Sequence, residues 1–161
     1  MTAVLDQRYR LRPAKNGDGA DIRALVFAVL AEFDLKPEPG GADSDLFDIE
    51  RYYAGGFFDV LVARETDRVV GTVGVAPVEP QTGELRKMYL APSARGAGLG
   101  AALLDHAMTR ARELGFMRLE LETAAVLVAA VRLYRKRGFL PVERADCASR
   151  CDVVMAIDLR K

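Results

Sequence analysis

The chain has 161 residues, half of them apolar and 29% charged, with 23 basic and 23 acidic side chains. That length supports one domain, residues 1–161, with a sizeable core, and a formal net charge of zero argues against a general nucleic-acid binder, which would carry a basic excess. No apolar run is long enough to span a membrane, and Met1 to Arg12 lacks the apolar core of a signal peptide, so a cytoplasmic location is expected.

Residues 8–12 alternate as a short strand ended by Pro13. Asp18 or Asp21 then caps a helix whose apolar positions Ile22, Leu25, Val26, Val29, Leu30 and Phe33 recur at helical spacing. Lys36 to Gly41 is a Pro/Gly-rich loop, and Asp43 or Ser44 opens a shorter helix to about Tyr53. Phe58–Arg64 and Val69–Val78 are β-rich runs joined by a turn at Thr66–Arg68. Gly71 and Gly74 in the second run predict a bulge or a close backbone approach. A strand over Glu84–Leu90 follows, then a helix from about Gly98 to Leu114. Met117–Glu122 is a further strand, Val126–Arg137 a helix stopped by Gly138, and Phe139–Glu143 and Val153–Leu159 are terminal strands. The order predicts a mixed α/β domain with helices on both faces of a central sheet.

The chemistry centres on Arg95-Gly96-Ala97-Gly98-Leu99-Gly100, between the Glu84–Leu90 strand and the long helix. Three glycines let a backbone approach a bulky anion, the helix start adds unpaired N–H groups and a positive dipole end, and Arg95 adds a charged donor. Gly96-x-Gly98-x-x-Ala101, with Glu120 about 20 residues on, also fits a dinucleotide fingerprint. Against it, Gly96 lies past Pro92 rather than at a strand end, and only about 60 residues follow the loop.

Arg95, Gly98 and Gly100, preceded by Met88-Tyr89-Leu90-Ala91-Pro92, resemble the pyrophosphate loop of the GNAT-type N-acetyltransferases. Ala130-x-x-Leu133-Tyr134-x-x-x-Gly138-Phe139 resembles the family's second signature, in the right order and at the right distance. The resemblance implies the GNAT fold, an α/β sheet splayed at the coenzyme site, and acetyl-coenzyme A as cosubstrate. It implies that the loop 95–100 holds the diphosphate while the pantetheine arm pairs with the edge at Met88, Tyr89 and Leu90. Leu127 stands where the family often carries an asparagine on the coenzyme arm, so that contact is lost or supplied otherwise.

By the same resemblance Tyr134 is the acid that reprotonates the leaving thiolate; the alternative is a tyrosine that packs the helix on the sheet. Glu84 and Glu122 are the two candidate bases, the alternatives being an exposed strand-edge glutamate for Glu84 and a salt-bridged strand-end residue for Glu122. Strand alternation places side chains 84, 86, 88 and 90 on one face. A backbone N–H near Met88 is the candidate oxyanion donor.

The acceptor site is expected around the first two helices, where Glu38, Asp43, Asp45, Asp48 and Glu50 cluster near Tyr52 and Tyr53, most of these acids serving as solvated caps and faces. Arg86 and Lys87 either bind a carboxylate on the acceptor or line a surface. The expected acceptor is a small-molecule amine, with a protein N-terminus or a non-catalytic acyl-coenzyme A module as alternatives, and a homodimer is left open. Cys147 and Cys151, without a nearby histidine, are too few for a metal site and read as free thiols, a disulfide remaining open. His106, the sole histidine, reads as a surface or partly buried helix residue.

Overall fold

The computed structural model of the protein describes residues 6–144, 147 and 150–160. The strands are β1 (Tyr9–Pro13), β2 (Phe57–Ala63), β3 (Val69–Glu79), β4 (Thr82–Leu90), β5 (Arg118–Thr123), β6 (Leu140–Pro141) and β7 (Val153–Asp158). The helices are α1 (Gly19–Glu32), α2 (Ile49–Tyr52), α3 (Leu99–Glu113) and α4 (Val128–Lys136). The strands form one open sheet in the order β1-β2-β3-β4-β5-β7-β6. All neighbours are antiparallel except β4 and β5. A parallel pair needs a crossover, and α3 supplies it.

Each face of the sheet has its own apolar cluster. On one face Ile22, Val26 and Leu30 of α1 and Ile49 of α2 pack on Phe58, Val60 and Val62. On the other, Leu99, Leu103, Leu104 and Ala107 of α3 pack with Tyr134 and Phe139 on Leu61, Val73, Leu85 and Leu119. Ile22, Val26 and Leu30 are essentially sealed from solvent, each side chain contributing about 1.5–3 kcal/mol by leaving water. Asp18 occupies the N-cap of α1 without capping it. Its carboxylate instead accepts from the Lys15 N–H at 2.8 Å and pairs with Arg12 at 2.8 Å.

Two departures from the expected strands matter. The strand expected over Phe139–Glu143 is shortened to Leu140–Pro141, with one further bond from the Val142 N–H to Val154 O at 2.9 Å. Gly138, at φ 102°, ends α4 with the Phe139 N–H donating to Tyr134 O at 3.0 Å. That turn carries Phe139 under the sheet instead of along it.

The second departure is in β4. Gly74 pairs with Arg86 and Thr72 with Tyr89, so Lys87 and Met88 together oppose Val73. Lys87 takes φ 55°, and its carbonyl accepts a hydrogen bond from Thr72 Oγ1 at 2.6 Å. This bulge breaks the simple alternation. Glu84, Arg86 and Tyr89 therefore share the α1 side, while Leu85, Met88 and Leu90 face α3, correcting the expectation that 84, 86, 88 and 90 share one face. Gly74, opposite the bulge, is a close-approach glycine: a Cβ there would stand 2.7 Å from Phe58 Cδ2 and 2.8 Å from Tyr53 Cε1.

Candidate active site

The parallel pairing of β4 with β5 covers only Thr82–Glu84 against Arg118–Glu120. Beyond Glu84 the two strands diverge, so among the described residues the β5-facing edge of β4 has no strand partner as far as Leu90. A cleft of about 620 Å³ opens there. From Glu84 to Leu90 the edge runs about 20 Å, a row of backbone donors and acceptors suited to an extended amide-bearing arm.

The glycine loop closes one end of the cleft. Gly96 and Gly98 have φ 86° and 76°, a region that side chains rarely adopt, and a Cβ at either would meet nothing within 4 Å. Gly98 caps α3, whose first internal bond runs from the Ala102 N–H to Gly98 O. The N–H groups of Leu99, Gly100 and Ala101 are therefore left for an anion. This arrangement fits a diphosphate. The Arg95 guanidinium, expected to add a donor to the anion, instead pairs with Glu32 at 2.8 Å and donates to Leu90 O at 2.9 Å. It fixes the loop to the ends of α1 and β4, and its hydrogen bonds hold the Glu32 carboxyl below the ordinary value. We predict that Gly98→Val weakens coenzyme A binding at least about tenfold in calorimetry, because a β-branched residue is strained at positive φ; Gly100→Ala, whose Cβ makes only ordinary contacts at 3.7 Å or more, keeps the fold.

Tyr134 lines the middle of the cleft, its ring centroid 5.8 Å from that of Phe139. Burial, reinforced by the nearby Tyr89, pushes its phenol well above 10, so the hydroxyl keeps its proton at neutral pH. Leu127, just ahead of α4, presents an apolar wall where an amide was absent from the sequence.

Glu84, Glu122, Arg86 and Arg150 line the other end. Both candidate bases are ion-paired: Glu84 with Arg86, and Glu122 with Arg144 at 2.7 Å. Of the acids expected as solvated caps, Glu38 is half-buried and pairs with Arg150 at 3.4 Å, and the other four divide into two groups. Asp48 and Glu50 are exposed and bond to Asn16, away from the cleft wall. Asp43 and Asp45 are buried, a correction to the solvated reading. The Lys87 ammonium lies 3.2 Å from each of them, and Arg150 grips Asp43 at 2.8 Å while also donating to Lys36 O. Tyr53 donates to Asp45 at 2.5 Å, and Tyr52 lies under the Arg86 guanidinium. Arg86 and Lys87 are thus structural cations that bind the 36–48 segment to the bulge, not free surface charges. Arg150, which no sequence pattern marked, straps that same segment from the far side of the cleft.

Burial alone would raise the Asp43 carboxyl, but the Arg150 hydrogen bond, the Glu38 N–H and Lys87 outweigh it and hold it at about 2. A depressed carboxylate stabilises the fold above its unfolded value and loses that contribution as pH falls through the folded one. We expect about 2 kcal/mol of unfolding free energy to disappear between pH 5 and pH 2 through this group. Urea titrations at several pH values should show Asp43→Asn less stable at neutrality and shallower in its acid slope.

Cys151 also lines the cleft. Burial, then Cys147 and Glu122, push its thiol up to about 12, so it is a protonated thiol and not a nucleophile. His106 Nε2 lies 2.6 Å from Asp59 Oδ2 on the α3 side, apart from the cleft lining.

Residues 26–139 match the Acetyltransferase (GNAT) family. The chain belongs to that family. It is 36% identical over 167 residues to the N-acetyltransferase YjgM of Escherichia coli K12, covering 99% of this chain and all of that protein. The GNAT-family acetyltransferase of Staphylococcus aureus Mu50 superposes with a TM-score of 0.87 at 20% identity, covering 94% of this chain and 99% of that one. A GNAT phosphinothricin acetyltransferase from Sinorhizobium meliloti, solved with acetyl-coenzyme A, gives 0.73 at 18% identity, covering 94% and 89%. The open sheet with its β4–β5 splay is accordingly the GNAT fold.

Proposed function

We propose that this GNAT protein transfers an acetyl group from acetyl-coenzyme A to the primary amine of a small molecule, by direct attack within a ternary complex. The observation that carries the reading is the splay itself: a glycine loop with free N–H groups at one end, two carboxylates at the other, and a protonated phenol between them. Acetyl-coenzyme A supplies a thioester whose carbonyl carbon accepts the amine and whose sulfur leaves. The backbone of Met88 at the bulge offers an N–H to the carbonyl oxygen. Tyr134 gives its proton to the departing sulfur, and Glu84 or Glu122 takes one from the amine, directly or through water. Arg150 and the 36–48 segment, strapped together across the acceptor end, favour a compact acceptor over a protein chain. The phosphinothricin acetyltransferase, a relative in fold, is named for a small amine of this kind.

A panel of small amines and short peptides, tested with acetyl- and longer acyl-coenzyme A and followed by free thiol release, tests the reading. Turnover on at least one small amine and none on peptides is expected. Tight coenzyme binding without turnover on any acceptor would make the chain a binding module. In the same assay Glu84→Gln should lower kcat/KM by about 10²-fold or more, and Glu122→Gln by less. The bulge leaves Glu84 on the acceptor side of β4, in reach of the strapped segment through Arg86. A loss confined to Glu122→Gln reverses the assignment, and full activity in both leaves water as the base.

A further inference from the structure

We propose that Glu122, Cys147 and Cys151 form a site for one thiophilic divalent cation, with Zn²⁺ as the natural candidate, in the wall of the cleft. The sequence alone showed two cysteines with three residues between them and no third ligand. The fold supplies that ligand: Glu122, from near the end of β5, comes against the segment joining β6 to β7, where both cysteines lie. One carboxylate oxygen and the two sulfurs lie within 4.8 Å of one another. Around a tetrahedral zinc, with bonds of roughly 2.0–2.3 Å, ligand atoms stand roughly 3.5–3.8 Å apart. Shifts of about 1 Å or less close the set, within the reach of side-chain rotation.

Three further observations suit a cation. Both cysteines are free thiols and partly buried, and acetyl transfer uses neither. Their spacing falls within that of paired cysteine ligands in zinc sites. Arg144 donates to Glu122 at 2.7 Å and to Glu120 at 3.0 Å, the outer-shell bond that orients a ligating carboxylate. On binding, each thiol releases its proton, so Zn²⁺ and two S–H groups yield two Zn–S bonds and two H⁺. Two thiolates and a carboxylate then outweigh the +2 ion, and the excess negative charge is met by Arg144, 2.7 Å from the Glu122 carboxylate. Three protein ligands leave a fourth position for water. A cation held there withdraws Glu122 from proton transfer, which links the site to the cleft.

The intact protein, reduced and handled without oxygen, is titrated with Co²⁺ as a spectroscopic probe and then with Zn²⁺. One equivalent of Co²⁺ should bind with a thiolate-to-cobalt charge-transfer band and the visible bands of a tetrahedral site, both abolished by Zn²⁺. Proton release, read with an indicator, should reach two per ion. Cys147→Ser and Cys151→Ser should each lower the charge-transfer intensity to about half and lose most of the affinity, and the double variant should lose the band altogether. Glu122→Gln should weaken binding about tenfold or more while circular dichroism stays unchanged. No charge-transfer band, full affinity in the double serine variant, or full affinity in Glu122→Gln each overturns the site. None of these readouts depends on acetyl-transfer activity.

Discussion

Tyr134→Phe should lower kcat by about 10- to 10³-fold while leaving the dissociation constant of acetyl-coenzyme A within about twofold. The substitution keeps the ring that packs against Phe139 and removes only the hydroxyl. That hydroxyl lies in the cleft, and burial keeps it protonated well past neutral pH. A poor leaving group gains most from a positioned proton, so the loss should fall on kcat rather than on binding. The pH profile carries a second signature. Because the phenol is pushed above its ordinary value, the wild-type rate should not decline through pH 9 from loss of this proton. A fully active phenylalanine variant would assign Tyr134 to packing alone.

The sequence was most legible where one local rule decides. The α3 start was readable because glycines at 96 and 98 are needed for positive φ, and the structure places both in that region. The end of α4 was readable for the same reason at Gly138. The face of α1 followed from helical spacing, with Ile22, Val26, Val29 and Leu30 all buried. The bulge in β4 was not readable from β4 itself, because its left-handed residue is a lysine. Its trace lay on the neighbouring strand, in Gly71 and Gly74 flanking the register shift. The same limit explains Asp43 and Asp45. Five acids in thirteen residues read as a solvated stretch, since exposed carboxylates are the rule. Only the folded chain shows that Lys87 and Arg150, 44 and 107 residues away from Asp43 in sequence, come to meet them. Long-range charge pairing leaves no periodic pattern, and Arg150 had no local mark at all.

Lys87→Ala should therefore destabilise the protein by about 3–5 kcal/mol, read as a lowered urea midpoint with an unchanged slope. The Lys87 ammonium is nearly sealed from solvent and bridges Asp43, Asp45 and Ala42 O at 3.2, 3.2 and 3.0 Å. Among the described residues Asp45 Oδ1 accepts no hydrogen bond, and two charges offset the carboxylate's burial: this ammonium at 3.2 Å from Oδ1 and the Arg86 guanidinium at 3.6 Å from Oδ2. Removing the ammonium takes the nearer cation from Asp45 and leaves two buried carboxylates with Arg86 and Arg150 alone, which is costlier than losing a surface pair. Lys87→Gly separates this electrostatic cost from the backbone one. Glycine adopts φ 55° without a Cβ penalty, so it should be about 1 kcal/mol more stable than the alanine variant yet still well below wild type. Both variants should raise the acceptor KM more than that of acetyl-coenzyme A, because Lys87 ties the 36–48 segment to the strand that carries the reaction. Equal stability of the glycine variant and wild type would mean that the bulge, and not the ion pairs, sets the cost.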